Sequence, residues 1–210
     1  MTPAIEALAS ARLVPVLVVH DTGTAVALAE ALLLGGLPVV EVTLRTAAAE
    51  EVLRVLAAGG DLVVGAGTVV TPEQVDRAVA CGARFLVSPG LSAAVVERAV
   101  ANGIPIVPGV ATASEIMAAR ALGLEVVKLF PAAQLGGPDA VRALSAPFPS
   151  VRFVPTGGVS AANLADYLAV PSVLAVGGSW MVPADLLDRG DVAGIAHRCA
   201  EAVALARGMS

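Results

Sequence analysis

Residues 39–66, VVEVTLRTAAAEEVLRVLAAGGDLVVGA, contain one complete unit of a pattern that continues through the chain. A β-branched run, Val39–Leu44, is followed by an alanine-rich segment with helical spacing, Ala47–Ala58, and by a second apolar run, Leu62–Ala66. Gly59-Gly60 follows the helical segment, where a left-handed C-terminal cap favours glycine. Apolar strands that alternate with helices indicate a parallel sheet covered on both faces.

The same alternation extends in both directions from this unit. Eight apolar runs predict strands, and these are Leu13–Val19, Val39–Leu44, Leu62–Ala66, Phe85–Ser88, Ile104–Pro108, Val126–Phe130, Arg152–Pro155 and Val173–Val176. Helical patterns lie between them, for example Thr24–Leu34, Ala47–Ala58, Pro72–Cys81, Ser92–Ala101, Ser114–Leu122 and Ala161–Leu168, and later near Pro183 and from Asp191 to about Ala206. We therefore predict a single α/β domain over residues 1–210, a (β/α)8 TIM barrel with an N-terminal helix over residues 1–12. A doubly wound open sheet is the alternative.

The composition argues against several classes of function. Hydrophobic residues make up 57% of the chain, but no uninterrupted apolar run approaches the roughly 20 residues that a membrane-spanning helix requires. The N-terminus lacks the basic start and apolar core of a signal peptide, so we expect a soluble, cytoplasmic protein with no membrane partner. The net charge of -5 and the lack of a basic stretch predict no nucleic-acid partner. The cysteines Cys81 and Cys199 and the histidines His20 and His197 have no metal or redox spacing, so we predict no metal site.

Lys128 is the only lysine of the chain, and it lies within the sixth predicted strand. Active sites of barrels lie at the carboxyl ends of the strands, and strand alternation places Lys128 on the inward face with Val126 and Phe130. Burial disfavours the charged ammonium form, and a free amine is what imine formation with a ketone needs. The alternative is an edge-strand lysine that prevents aggregation.

Glu41 is a carboxylate within an apolar strand, and it shares one face with Thr43 and Arg45 by the period of two. Such a carboxylate needs a partner, and the candidates are Arg45 and Lys128. One hypothesis is a general acid/base, Glu41, beside an anion clamp, Arg45. The other is a purely structural pair of Glu41 with Arg45.

Two glycine pairs follow the seventh and eighth predicted strands, in Thr156-Gly157-Gly158 and in Gly177-Gly178-Ser179. Barrels often bind phosphate at these two places through backbone N–H groups, although a Gly-Gly pair alone usually marks a turn. Gly65-Ala66-Gly67-Thr68 lacks the spacing of a nucleotide-binding loop. We interpret Thr68 as a hydroxyl donor that points into the barrel mouth.

Several of these stretches together resemble one known family. In order along the chain they are EVTLRT (41–46), VGAGTV (64–69), SPG (88–90), IVPG (106–109), VKLFPA (127–132), PTGGV (155–159) and GGSW (177–180). The chain resembles the 2-keto-3-deoxy-6-phosphogluconate (KDPG) aldolases, whose members also act on 4-hydroxy-2-oxoglutarate (KHG). The resemblance runs from about Val14 to the C-terminus.

The resemblance implies a Schiff-base aldolase, a lyase of carbohydrate metabolism in the Entner–Doudoroff pathway. It implies cleavage of KDPG to pyruvate and glyceraldehyde 3-phosphate without metal or cofactor, in a homotrimer. By the same resemblance Lys128 forms the Schiff base and Glu41 moves protons. The implied substrate-binding residues are Arg45 and Thr68 at the pyruvyl end, Pro89 and Phe130 around the imine, and Thr156, Gly157, Gly158, Gly178 and Ser179 at the aldehyde half and its phosphate.

The chain departs from the family pattern at Leu129 and Ala133, where many relatives have Phe and Glu, and at His20, where some have lysine. These departures bear on phosphate affinity and on the preferred aldehyde half. The gluconate substrate, its galactonate epimer and KHG all stay open. A phosphosugar isomerase or epimerase on the same barrel would share the phosphate loops and the carboxylate base but would need no lysine in a strand. A non-catalytic phosphometabolite-binding protein or trimeric scaffold would need no buried charges.

Overall fold

The computed structural model describes residues 1–208, in which parallel strands alternate with helices. The strands are β1 (Leu13–Leu17), β2 (Val39–Thr43), β3 (Val63–Gly67), β4 (Phe85–Val87), β5 (Ile106–Val107), β6 (Gly109–Val110), β7 (Val126–Leu129), β8 (Arg152–Phe153) and β9 (Val176–Gly178). The helices are α1 (Pro3–Ala11), α2 (Ala25–Leu34), α3 (Ala49–Ala58), α4 (Pro72–Ala80), α5 (Ala93–Ala101), α6 (Ala113–Ala121), α7 (Gly137–Ser145), α8 (Leu164–Leu168), α9 (Ala184–Asp188) and α10 (Val192–Arg207). Within this described part of the chain, every helix is too short or too polar to cross a membrane.

The strands form two parallel sheets. Six strands pair in the order β5-β4-β3-β2-β1-β9, and three pair in the order β6-β7-β8. Two isolated parallel bridges join the β8 region to the β9 region, Phe153 with Val173 and Thr156 with Gly177. The α/β class predicted from the sequence is therefore confirmed. A doubly wound sheet reverses its strand order at a switch point, and the consecutive order from β5 back to β1 does not fit that alternative.

The fifth predicted strand, Ile104–Pro108, is interrupted where the prediction placed its end. Proline has no N–H to donate, so the ladder breaks at Pro108 and the strand continues as a separate segment, β6. The Pro108 carbonyl still accepts a hydrogen bond from the backbone N–H of Lys128, at 2.8 Å. One continuous stretch of chain thus pairs with β4 through β5 and with β7 through β6.

The eighth predicted strand lies farther along the chain than expected. The prediction was Val173–Val176, whereas β9 begins at Val176 and includes both glycines. Gly177 and Gly178 pair with Val14 and Pro15 of β1, and strand pairing needs only their backbone groups. The prediction took these glycines for the loop, and that boundary was wrong.

The left-handed glycine cap predicted after α3 is confirmed, and the start of α4 has an equally clear physical cause. Gly60, after α3, has φ 79°, a left-handed conformation that favours glycine. Thr71 precedes Pro72, and its side chain accepts a hydrogen bond from the N–H of Gln74, whose own side chain completes a capping box.

Strand alternation divides the apolar core into two clusters. Val40 and Val42 of β2 belong to the cluster that packs under the helices, where most buried residues lie. Val39, on the opposite face, belongs to a smaller cluster with Phe85 and with α1, which contributes Leu8. Because Glu41 follows Val39 on the same face, the functional residues lie directly above this smaller cluster, toward the carboxyl ends of the strands.

Candidate active site

Lys128 and Glu41 come together as a buried ion pair. The Lys128 Nζ lies 3.7 Å from Oε1 of Glu41, and the two side chains are 8% and 3% exposed. This separation exceeds a normal N–H···O distance, and Glu41 Oε1 has no hydrogen-bond partner within residues 1–208. A polar gap of this length accommodates a bridging water or a substrate oxygen. The amine and the carboxylate therefore face each other across a gap that has room for one oxygen atom.

Lys128 lies on a strand that is paired on both sides. Gly109 of β6 is its neighbour on one side, and β8 pairs with β7 on the other through Val127 and Phe153. The interpretation as an edge-strand lysine is therefore wrong. The ring of Phe130, which is partly exposed just beyond β7, has its centroid 5.1 Å from Nζ, within the range of a cation–π contact.

The Glu41 carboxylate occupies a space left by a glycine of the neighbouring strand. Glu41 is paired with Gly65 of β3, and its side chain extends toward Gly67, the next residue of β3 on the same face. A Cβ atom at Gly67 would lie 2.1 Å from Glu41 Oε1. No role was predicted for Gly67 from the sequence. The signal was the pair of glycines within an apolar strand, which marks a close approach by another group.

Arg45 does not pair with Glu41. Strand β2 ends at Thr43, and the N–H of Arg45 donates to the Thr43 carbonyl at 2.8 Å, so the chain turns before Arg45. Arg45 is exposed. Within residues 1–208 the ion-pair partner of Glu41 is Lys128. The hypothesis of a structural Glu41–Arg45 pair is therefore wrong. The Thr43 hydroxyl donates to the Leu17 carbonyl at 2.7 Å and so ties β2 to β1.

Thr68 and Pro89 lie at the ends of neighbouring strands, β3 and β4. Thr68 is half-buried and has φ 59°, a left-handed conformation that is rare for a β-branched residue and is typical of functional sites when it occurs. Pro89 is exposed, and a Cβ at Gly109 would lie 2.2 Å from its carbonyl oxygen. The Ser88 hydroxyl donates to the Gly90 carbonyl at 2.8 Å. Gly109 thus lets this turn lie directly on the strand beside Lys128, a role that the sequence analysis did not assign.

The loop after β8 is bonded to the loop after β7. The N–H of Ala132 donates to the Thr156 carbonyl at 2.8 Å, and the N–H of Ala133 donates to the Gly157 carbonyl at 3.0 Å. Gly157 and Gly158 both have positive φ, and a Cβ at Gly158 would lie 2.3 Å from that of Ala133. Ala133, one departure from the family pattern, therefore contacts the first glycine pair. Leu129, another departure, is buried among the apolar residues under the helices.

The second glycine pair lies beside the first. A Cβ at Gly177 would lie 2.4 Å from Oγ1 of the buried Thr156, so the glycine makes room for that side chain. Gly178 is buried in β9, and Ser179 follows it as an exposed residue. His20 is exposed beyond the end of β1, the strand with which β9 pairs. The structure therefore brings the two glycine pairs together, as a phosphate site at this end of the sheet requires.

These groups suit covalent chemistry on a carbonyl compound. Lys128 supplies an amine, Glu41 a carboxylate within reach of the same substrate atoms, and Arg45 an exposed cation. Nowhere in residues 1–208 do three or more His, Cys, Asp or Glu side chains cluster as ligands for a metal ion.

Known proteins are similar to this chain in sequence and in structure. The family model "KDPG and KHG aldolase" matches residues 4–198. The chain is 46% identical over 204 residues to a 2-dehydro-3-deoxy-phosphogluconate aldolase of Dickeya dadantii, with 97% of this chain and 96% of that protein covered. The KDPG aldolase of Legionella pneumophila, solved with pyruvate as a covalent carbinolamine intermediate, superposes with a TM-score of 0.91 at 41% identity, covering 95% of this chain and 97% of that one. The Zymomonas mobilis ZM4 enzyme, solved with 3-phosphoglycerate, gives a TM-score of 0.93 at 42% identity, covering 99% and 98%.

Proposed function

The chain belongs to the KDPG and KHG aldolase family, a family of Schiff-base-forming carbon–carbon lyases, and on that premise we propose that Lys128 is its nucleophile and Glu41 its proton-transfer group. The reaction is the cleavage of KDPG to pyruvate and glyceraldehyde 3-phosphate. The observation that carries the assignment of residues is the buried contact of 3.7 Å between Lys128 Nζ and Glu41 Oε1. An isomerase or epimerase would need the carboxylate without the amine, and a scaffold would need neither.

The first half of the reaction forms an imine. The neutral amine of Lys128 adds to C2 of the keto acid, and the resulting carbinolamine takes up one proton from solvent and loses water to give a protonated imine. Hydrolysis at the end of the cycle returns that proton to solvent. The positively charged imine nitrogen attracts the electrons of the bond to be broken. The covalent intermediate thereby divides one difficult reaction into easier steps.

The second half breaks the C3–C4 bond. The Glu41 carboxylate accepts the proton of the C4 hydroxyl, the C3–C4 bonding pair moves toward the imine nitrogen, and C4 leaves as the aldehyde carbon of glyceraldehyde 3-phosphate. Glu41 returns its proton to C3 of the remaining enamine, and water releases pyruvate and the free lysine. A positioned acid/base of this kind typically contributes about 10²–10⁴-fold to the rate.

The remaining site residues would bind the two halves of the substrate. Arg45 and Thr68, at the ends of β2 and β3, are assigned to the pyruvyl carboxylate, because a guanidinium and a hydroxyl both donate to carboxylate oxygens. Phe130, whose ring lies 5.1 Å from Lys128 Nζ, and Pro89 are assigned to the walls around the imine. The loops of Thr156, Gly157 and Gly158 and of Gly178 and Ser179 are assigned to the phosphate, because they meet at the Thr156–Gly177 bridge.

The architecture and setting follow from the same premise. We infer a single-domain, closed (β/α)8 barrel, supported by the β1–β9 pairing, by the continuity of β5 with β6, and by the Thr156–Gly177 bridge. We expect a homotrimer in the cytoplasm. KHG, which would yield pyruvate and glyoxylate, is the second proposed substrate, because its pyruvyl half is the same and it needs no phosphate contact.

Borohydride trapping with pyruvate tests the Schiff base. Borohydride reduces the imine to a stable secondary amine, and intact mass with peptide mapping should place the adduct on the peptide that contains Lys128, the only lysine. The control is Lys128→Arg, which keeps a cation beside Glu41 but forms no imine, and it should show neither adduct nor turnover. Absence of the adduct from folded wild-type protein would remove the proposed function.

A further inference from the structure

We infer that Gly67 is a positioning residue for proton transfer, because the space left by its missing side chain holds the Glu41 carboxylate. The inference rests on the proposed function, since it assigns the proton to Glu41, but it concerns a residue that contacts no substrate. Its consequence is that the smallest side chain at position 67 would separate imine formation from proton transfer.

The contact allows no side chain at position 67 while Glu41 keeps its place. A Cβ on Gly67 would lie 2.1 Å from Oε1 of Glu41, 2.6 Å from its Cγ and 2.7 Å from its Cδ. The three atoms nearest to that position all belong to Glu41. Such separations are far inside van der Waals contact, so either the backbone or the Glu41 side chain must move.

The backbone is held on both sides of the contact. Gly67 is paired with Thr43, and its carbonyl accepts a hydrogen bond from the N–H of Leu44 at 2.8 Å. Strand β2 is in turn held to β1 by the hydrogen bond of 2.7 Å from the Thr43 hydroxyl to the Leu17 carbonyl. Moving either strand would break these bonds, whereas turning the Glu41 side chain leaves them intact. Within the described residues Oε1 accepts no hydrogen bond, so the turn gives up the contact of 3.7 Å with Lys128 Nζ. The carboxylate is therefore the group that moves.

The amine stays in place when the carboxylate moves. Lys128 lies on β7, in the other sheet, and its backbone N–H donates to the Pro108 carbonyl at 2.8 Å. None of the three atoms nearest to a Cβ at Gly67 belongs to Lys128. An alanine at position 67 should therefore leave imine formation intact and remove the proton-transfer group from the imine.

The test compares Gly67→Ala with Gly65→Ala. Gly65 lies on the same strand and the same face, and a Cβ there would lie 2.2 Å from the Phe85 ring, so the nearest atoms in the control's clash belong to Phe85 rather than to Glu41. Two quantities are measured with pyruvate as the only substrate. The first is the fraction of protein trapped by borohydride, and the second is the rate of deuterium exchange at the pyruvate methyl group, followed by NMR. Exchange requires the imine and also a base that removes a C3 proton.

The expected result is a selective loss in Gly67→Ala. Its ratio of exchange rate to trapped adduct should fall at least about tenfold, toward the loss expected without a positioned acid/base, while the ratio in Gly65→Ala stays at the wild-type value. An unchanged ratio in Gly67→Ala, or an equal fall in Gly65→Ala, would overturn the inference. Wild-type protein that shows neither adduct nor exchange would instead overturn the proposed function.

A second background keeps the inference testable if Gly67→Ala folds poorly. In Glu41→Ala the carboxylate is gone, so the added methyl group at position 67 meets empty space. Gly67→Ala should lower the Tm when it is introduced into the wild type. The same substitution should leave the Tm unchanged when it is introduced into Glu41→Ala. An equal loss of Tm in both backgrounds would show that Glu41 does not fill the space beside Gly67.

Discussion

Replacing Lys128 with methionine should destabilise the protein, because it leaves the Glu41 carboxylate buried without its cation. Coulomb's law with an effective dielectric constant of about 20 gives about 4 kcal/mol for two unit charges at 3.7 Å, the separation of Nζ and Oε1. Removal of one partner from a buried ion pair commonly costs ~3–5 kcal/mol, which is the same range. Adding Glu41→Gln should recover most of this loss, because an amide leaves no unpaired charge.

Urea unfolding followed by circular dichroism at pH 7 measures the effect in a double-mutant cycle of the wild type, both single variants and the double variant. We expect a coupling energy of about 4 kcal/mol between Lys128 and Glu41. The matched control is the surface pair Arg189–Asp185, whose side chains are 63% and 66% exposed and which should couple by about 0.5 kcal/mol or less. A coupling near 1 kcal/mol for the buried pair, the value for charges in bulk water, would refute the argument.

Four further predictions test other parts of the molecule. Thr112→Ala should destabilise the protein by about 1 kcal/mol in urea unfolding, because the Thr112 side chain caps α6. Hydrogen bonds from the N–H of Ala111 and from Thr112 lower the pKa of Glu115 below its ordinary 4.5, so its stabilising effect is present above that value and is lost as the pH falls through the lowered one. Glu115→Gln should remove this pH dependence, and an unchanged acid-unfolding curve would contradict it. Burial raises the pKa of Cys199 to about 12, so the thiol should resist a disulfide reagent at pH 8 until the protein is unfolded, and fast labelling of native protein would contradict this. Arg45→Met should raise the pyruvate concentration needed for half-maximal borohydride trapping by about tenfold or more, the loss of one charged hydrogen bond, and unchanged trapping would count against the assignment.

The two buried charged residues, Lys128 and Glu41, were predictable from the sequence because few other residues could serve as a buried amine or carboxylate. Lys128 is the only lysine, and strand alternation places it on the face opposite Val127. Glu41 lies in a run of apolar residues, where a carboxylate needs a cation within reach. The sequence left two partners open for Glu41, and only the turn after Thr43 decides between them, because it takes Arg45 out of the strand.

The contacts that depend on space rather than on charge were not predictable. The two glycines of β3 indicate that some group approaches closely, but the sequence does not identify Glu41 as the group at Gly67 or Pro89 as the group at Gly109. Each contact joins residues of different segments, and their register is set by the whole sheet. The same cause explains the wrong boundary of β9. Glycine is a poor strand former by propensity, yet Gly177 pairs with β1, and its missing side chain leaves the space that Thr156 occupies.

Lys128 and Glu41 are positioned by different parts of the structure, and this arrangement favours the reaction. The backbone of Lys128 is bonded to Pro108, whereas Glu41 lies on β2 and is placed by the empty space at Gly67. Below both lies an apolar cluster closed by Leu8 and its neighbours in α1. Imine formation needs a free amine, and cleavage needs a free carboxylate at a set distance from it. A direct hydrogen bond would occupy an N–H of the amine and a lone pair of the carboxylate, whereas at 3.7 Å both stay available to substrate atoms. The spacing of two strands, rather than the strength of the ion pair, is therefore what makes the pair suitable for catalysis.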